Sequence, residues 1–182
     1  MNYHNNSKMK KLLSLIILIV CLLGISCGND PKPVKTIQPE AYKKDLEKVN
    51  KTLVQKENED IDDYIARHEW KMKSTGTGLR YLIYYNGKGK KPAANDKVVI
   101  RFEVSLINGI ECYNSDKDGL KMIELGKAEV ESGLEEGIML MKVGDKAKLI
   151  LPSHLAFGLL GDENKIPKRA TLIYDVELVE IK

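Results

Sequence analysis

Apolar residues fall on three different rhythms along the chain. From Leu12 to Leu23 they run almost unbroken, interrupted only by Ser14 and Cys21. Across residues 41–69 they recur at helical spacing, first as Tyr42, Leu46, Val49 and Leu53, then as Ile61, Tyr64, Ile65 and His68. The acidic stretch Glu57–Asp63 between these sets suits a helix N-terminus, where the macrodipole favours negative charge. The spacing therefore predicts one interrupted helix, or two helices, sharing one apolar stripe. From residue 74 the period becomes two. Leu79, Tyr81, Ile83 and Tyr85 alternate with Arg80, Leu82 and Tyr84; Val98, Ile100, Phe102, Val104 and Leu106 alternate with Val99, Arg101, Glu103 and Ser105. Such alternation is the mark of half-buried antiparallel strands.

Turn signals punctuate these runs. Gly87-Lys88-Gly89-Lys90-Lys91-Pro92 reads as a loop, and Asn108-Gly109 is a preferred pair for a tight hairpin. Further strands are expected at Lys146–Leu151 and Thr171–Ile181. Between strands lies one helix candidate, opened by Ser132-Gly133-Leu134-Glu135 with capping-box spacing and continued by Ile138 and Met141. One short helix among several antiparallel strands predicts an α+β domain over residues 74–182, its sheet covering that helix. A helical arm (41–73) precedes it. Residues 27–40, with Pro31, Pro33 and Pro39, read as an extended tether.

Charge places the first apolar run. The chain has 182 residues and a formal net charge of +3. Lys8, Lys10 and Lys11 account for that whole excess, and no acid precedes residue 27. The remainder is balanced, which offers no support for a nucleic-acid partner. A basic start followed by an apolar run too short for an ordinary span suits a signal segment over residues 1–26. Gly24-Ile25-Ser26-Cys27, followed by Gly28-Asn29-Asp30-Pro31, resembles a bacterial lipoprotein signal, with Gly24 standing where that family prefers leucine. The resemblance implies cleavage before Cys27, lipid on that cysteine, and a location in the bacterial cell envelope, facing the periplasm or the cell surface. A plain secreted protein or an uncleaved anchor are the alternatives. Of the three cysteines, only Cys112 would then remain in the folded part, as a small buried residue without a disulfide partner.

The common catalytic signatures are missing. There is no Gly-x-Ser-x-Gly, phosphate-binding loop or His-Glu-x-x-His, and no Cys or His cluster has metal-ligand spacing. Neither a metal nor another cofactor is expected. An enzyme built on this chain needs chemistry that uses no nucleophile.

The strands and turns supply such a chemistry by resemblance. Asp96–Phe102, Asn108-Gly109, Leu125–Val130, Gly133–Gly137, Met141–Ala147, Ala156-Phe157-Gly158, Ile166-Pro167 and Ala170–Leu178 occur in the order, and nearly the spacing, of an FKBP-type peptidyl-prolyl cis-trans isomerase domain. The resemblance spans residues 78–181 and implies an antiparallel sheet wrapped around one short helix. It also implies an aromatic-walled cleft, with Phe102, Tyr113, Phe157 and Tyr174 as the catalytic side chains. Cys112, Val130, Glu131, Leu134 and Ile166 complete the substrate-binding surface. Leu134 stands where tryptophan is usual, Phe157 where a tyrosine hydroxyl normally donates, and Glu131 at an aliphatic position. Cys112-Tyr113-Asn114-Ser115 replaces the usual Phe-Asp-Ser-Ser, and Lys168 a second proline.

The expected activity is isomerisation of X–Pro bonds in polypeptides outside the cytoplasm, by a protein held to a membrane through Cys27. The alternatives are a non-catalytic binding module that keeps the cleft, and a subunit of an envelope assembly. The stripe of residues 41–69 packs on the following domain in one reading and forms a homodimer in the other.

Overall fold

The computed structural model describes residues 39–182. The leader, Cys27 and most of the tether lie outside the described residues. Residues Lys44–Lys182 form one compact unit.

The first described element is one continuous helix, α1 (Pro39–Arg67), so the predicted interruption does not occur. Glu57–Asp63 sits in its middle rather than at an N-terminus. Glu57 faces the sheet domain instead. One oxygen accepts from the Ser153 amide at 2.7 Å and the Thr171 hydroxyl at 2.8 Å, and the other from the Ser153 hydroxyl at 3.0 Å. The apolar stripe divides at this point. Leu46, Val49 and Leu53 are exposed, whereas Ile61 is fully buried.

The strands are β1 (Lys73–Ser74), β2 (Arg80–Tyr85), β3 (Lys97–Leu106), β4 (Glu111–Asn114), β5 (Lys121–Glu124), β6 (Lys146–Leu151) and β7 (Leu172–Ile181). They form one antiparallel sheet in the order β1-β2-β6-β7-β3-β4, with β5 also paired to β3. Strand β3 is central. One edge pairs with β7 along its length, and the other meets β5 through Ile100 and then β4 from Glu103. The hairpin between β3 and β4 is looser than a two-residue turn. Gly109 has φ +85°, but Asn108 is not in the left-handed region, and Leu106 accepts from Gly109 while donating to Ile110.

Two short helices interrupt the sheet, α2 (Ser115–Asp118) and α3 (Ser132–Leu140). Helix α3 lays Leu134 and Ile138 against Leu149, Leu151 and Leu172 of the concave face. Gly137 permits the close approach, since a Cβ there would stand 2.4 Å from Leu149 Cδ1. The predicted capping box is absent. The N-cap is Glu131, whose carbonyl accepts from the Leu134 and Glu135 amides, and no side chain caps the helix. Glu135 is engaged elsewhere, accepting from the Gly126 amide at 2.7 Å.

On the opposite face, Ile150 and Ile173 pair directly across β6 and β7 and meet Ile61, with Tyr64, Ile65, Trp70 and Met72 around them. The sheet is thus covered on both sides at this end, by α3 and by the C-terminal half of α1. Glu57 closes the polar rim of the second contact. Changing Glu57 to alanine leaves the buried Ser153 amide and two hydroxyls without their acceptor, and is expected to cost about 1–3 kcal/mol. Asp63→Ala, at an exposed position of the same helix, should stay within about 0.5 kcal/mol. Urea midpoints of the two variants check this, and equal midpoints would refute the role given to Glu57.

Candidate active site

The residues expected to form the cleft come from six separate segments, and the sheet brings them to one place. Phe102, Tyr113, Val130 and Phe157 are half-buried against a core containing Cys112, Leu134, Ile166 and Tyr174. Phe102 lies on β3 in the gap between its partners β5 and β4. Its amide is satisfied there by the Ser115 hydroxyl at 2.8 Å. Leu134, on the first turn of α3, is 1% exposed and closes the floor. Tyr174, on β7 opposite Val104, is 4% exposed.

Between the start of α3 and the segment after β6 lies a hollow of about 300 Å³, lined by Lys121, Ala128, Glu129, Val130, Glu131, Ala156 and Phe157. Of the expected residues, Val130, Glu131 and Phe157 open onto it; Cys112, Leu134, Ile166 and Tyr174 belong to the core, and Phe102 and Tyr113 pack against that core. The Glu131 amide has no acceptor among the described residues. Its side chain turns inward, where Oε1 accepts from the Tyr174 hydroxyl at 2.9 Å. Burial, with the Glu131 carboxylate beside it, pushes the Tyr174 hydroxyl well above the ordinary tyrosine range.

Cys112 is 2% exposed, its thiol 3.8 Å from the carbonyls of Ile110 and Lys165. Burial pushes this thiol up, which suits a packing residue and not a nucleophile. Tyr113 points away from the floor, onto the segment linking Phe157 to Ile166. Its hydroxyl donates to Asp162 and accepts from the Asn164 side chain at 3.3 Å, and Lys165 Nζ lies 4.6 Å from its ring centre. The hydrogen bond to Asp162 raises the Tyr113 hydroxyl pKa.

Asp162 was not among the residues expected to matter. Its other oxygen accepts from the amides of Asn164 at 2.9 Å and Ile166 at 2.7 Å. Burial works to raise its carboxyl pKa, but the Tyr113 hydroxyl and these amides outweigh it and hold the group below its ordinary value. Gly161-Asp162-Glu163-Asn164 has the composition of a tight turn. Nothing in the sequence announces a partner on β4, 49 residues away.

The site offers no exposed nucleophile, and no three potential ligands gather in a metal-binding group among the described residues. What it presents is a hollow with apolar Val130, Ala156 and Phe157 beside charged Lys121, Glu129 and Glu131, one free backbone donor, and the buried Tyr174. Such a surface can hold an uncharged peptide and discriminate between its shapes.

Comparison with known proteins agrees. The family model for FKBP-type peptidyl-prolyl cis-trans isomerases matches residues 88–179. The FKBP-type peptidyl-prolyl cis-trans isomerase FkpA of Escherichia coli K12 is 38% identical over 111 residues, which is 61% of this chain and 40% of that protein. FkpA of Buchnera aphidicola from Acyrthosiphon pisum is 37% identical over 110 residues, 60% of this chain and 45% of that one. The chain thus spans less than half the length of these curated relatives. The crystal structure of FkpA from Escherichia coli aligns with a TM-score of 0.62 at 26% identity, covering 99% of this chain and 94% of that one. The crystal structure of AtFKBP13 aligns at 0.59 and 23% identity over 62% of this chain and all of that one, and shows the same fold. By matched family and sheet topology, this chain belongs to the FKBP-type peptidyl-prolyl cis-trans isomerases.

Proposed function

We propose that the chain is an exported peptidyl-prolyl cis-trans isomerase, lipid-anchored through Cys27 in a bacterial envelope, acting on proline-containing polypeptides outside the cytoplasm. The observation that carries the reading is the hollow lined by Val130, Ala156 and Phe157 beside the free Glu131 amide, with Tyr174 in the core that Val130 and Phe157 pack against. An X–Pro bond rotates against a resonance barrier of about 18–20 kcal/mol. The planar amide is strongly dipolar, and the twisted one less so. An apolar pocket therefore disfavours the ground state relative to the transition state, and a fixed donor to the prolyl carbonyl holds the substrate while it turns. No residue needs to titrate.

The loss of a cleft carboxylate from the Tyr113 position and of a hydroxyl from the Phe157 position favours a second reading, a module that binds proline-containing segments without turning them. Exchange between cis and trans forms of short X–Pro peptides, followed by NMR with catalytic amounts of the full chain, separates the two. Acceleration supports the isomerase. Peptide binding without acceleration moves the conclusion to the binding module.

The leader supports anchoring by its basic start, short apolar run and Cys27. A mass increase at Cys27 in the mature protein, abolished by Cys27→Ser, is the expected result. The exposed Leu46, Val49 and Leu53 support pairing of two copies through residues 41–69. Sedimentation of the full chain and of Leu46→Lys tests that pairing.

A further inference from the structure

The polar groups of the cleft are unevenly satisfied. Oε1 of Glu131 accepts from Tyr174, while Oε2 is shut off from solvent and accepts from nothing, the one such buried side-chain atom among the described residues. A carboxylate oxygen kept in this way is unfavourable until a donor reaches it. The cleft does not supply one. Phe157 and Leu134 carry no donor, Val130 and Ala156 are aliphatic, and the one polar hydrogen aimed at Glu131 is already used by the other oxygen. Lys121 lines the same hollow but is exposed and makes no bond to the carboxylate; its charge is spent largely in water. Glu129, also on the lining, adds a second negative charge and uses one oxygen on the Glu124 amide.

Resting on the isomerase reading, we propose that Glu131 is a specificity-determining residue that makes the cleft prefer segments with lysine or arginine immediately before the proline. The Glu131 side chain is tethered by a single hydrogen bond, so a change of rotamer presents Oε2 to the hollow. A cationic substrate side chain entering there gives that oxygen a charge-assisted bond, stronger than one between neutral groups. An acidic side chain meets Glu131 and Glu129 and is repelled. An aliphatic one leaves Oε2 without a partner.

The test uses the full chain and a peptide series identical except for lysine, leucine or glutamate before proline. Catalysed exchange is expected to rank lysine above leucine above glutamate, with kcat/KM for lysine about ten-fold or more above that for glutamate. Glu131→Gln should compress that ratio to within about three-fold, because the amide keeps the shape and removes the charge. Raising the salt concentration should reduce the wild-type preference, as expected for a charge pair formed in an open hollow. A wild-type chain that does not discriminate, or a ratio unchanged in Glu131→Gln, overturns the proposal while leaving the isomerase intact. Should no peptide be turned over, the isomerase reading fails separately, and chemical-shift titration of the same peptides decides. Affinities that rank lysine over glutamate and converge in Glu131→Gln support the role of Glu131; equal affinities, or no binding, overturn it.

Discussion

Tyr174→Ala is expected to lower catalysed X–Pro exchange by about 10²-fold, a size set by how steeply catalysis falls when a reacting group loses its support. The ring stands near the start of β7, 4% exposed, in one core with Leu134, Ile166 and Cys112, and its hydroxyl donates to Glu131. Alanine there removes the wall and opens a cavity, at a stability cost of about 3–5 kcal/mol. That is a large part of the total for an ordinary domain, so exchange must be normalised to the folded fraction seen by circular dichroism. Tyr174→Phe separates the two effects. It keeps the wall and loses only the bond to Glu131, so activity on a leucine–proline peptide should fall far less. A folded Tyr174→Ala with wild-type exchange would remove the cleft from the mechanism. The hydroxyl has its own signature at high pH. Its pKa is raised in the folded chain, so its contribution is intact below the unfolded value of about 10 and is lost as pH rises above it, because the unfolded chain ionises first. Tyr174→Phe should therefore unfold less steeply between about pH 10 and 12.

The particular residues that were legible in the sequence are those whose neighbours lie close by in the chain. Alternation marks β3 and the later part of β7, and the residues the family pattern names, Phe102, Phe157, Ile166 and Tyr174, belong to or pack against one core. What escaped was decided across long separations. Leu149-Ile150-Leu151 and Leu172-Ile173-Tyr174 break strict alternation, and such runs mark strands buried on both faces. That signal was available, and it predicts the landing site of α1. The continuity of α1 through Glu57 was not, since a carboxylate in the middle of a helix finds its reason only in Ser153 and Thr171. The capping box failed for a similar cause. Ser132 and Glu135 have the right spacing, but Gly126 claims the glutamate, and the chain enters the helix one residue earlier. Tyr113 and Asp162 are the clearest case: each is an unremarkable polar residue alone, and together they tie β4 to the loop that carries two cleft residues.

That loop makes Gly161→Ala the second large effect, and comparison with Gly109 isolates its cause. Both glycines have positive φ, +75° at Gly161 and +85° at Gly109. Alanine costs about 1–2 kcal/mol in that region wherever it stands. The difference is space. A Cβ at Gly109 meets nothing within 4 Å, whereas at Gly161 it would lie 2.3 Å from the Ile166 carbonyl oxygen and 2.9 Å from the Pro167 carbonyl carbon. Those are backbone atoms, and Ile166 also accepts from the Asp162 amide at 3.1 Å across the base of the loop. The added methyl must force that base apart, which displaces Ile166 from the wall and strains the tie between Asp162 and Tyr113. Gly109→Ala should thus lose about 1–2 kcal/mol and turn over peptides like the wild type. Gly161→Ala should lose about 3 kcal/mol or more, and its exchange rate per folded molecule should drop by 10-fold to 10²-fold, since a displacement of about 1 Å is enough for that. Urea unfolding and NMR exchange on the same samples give both numbers. Equal behaviour of the two variants would mean that the loop base does not hold the cleft, and that Ile166 keeps its place through Leu134 and Tyr174 alone.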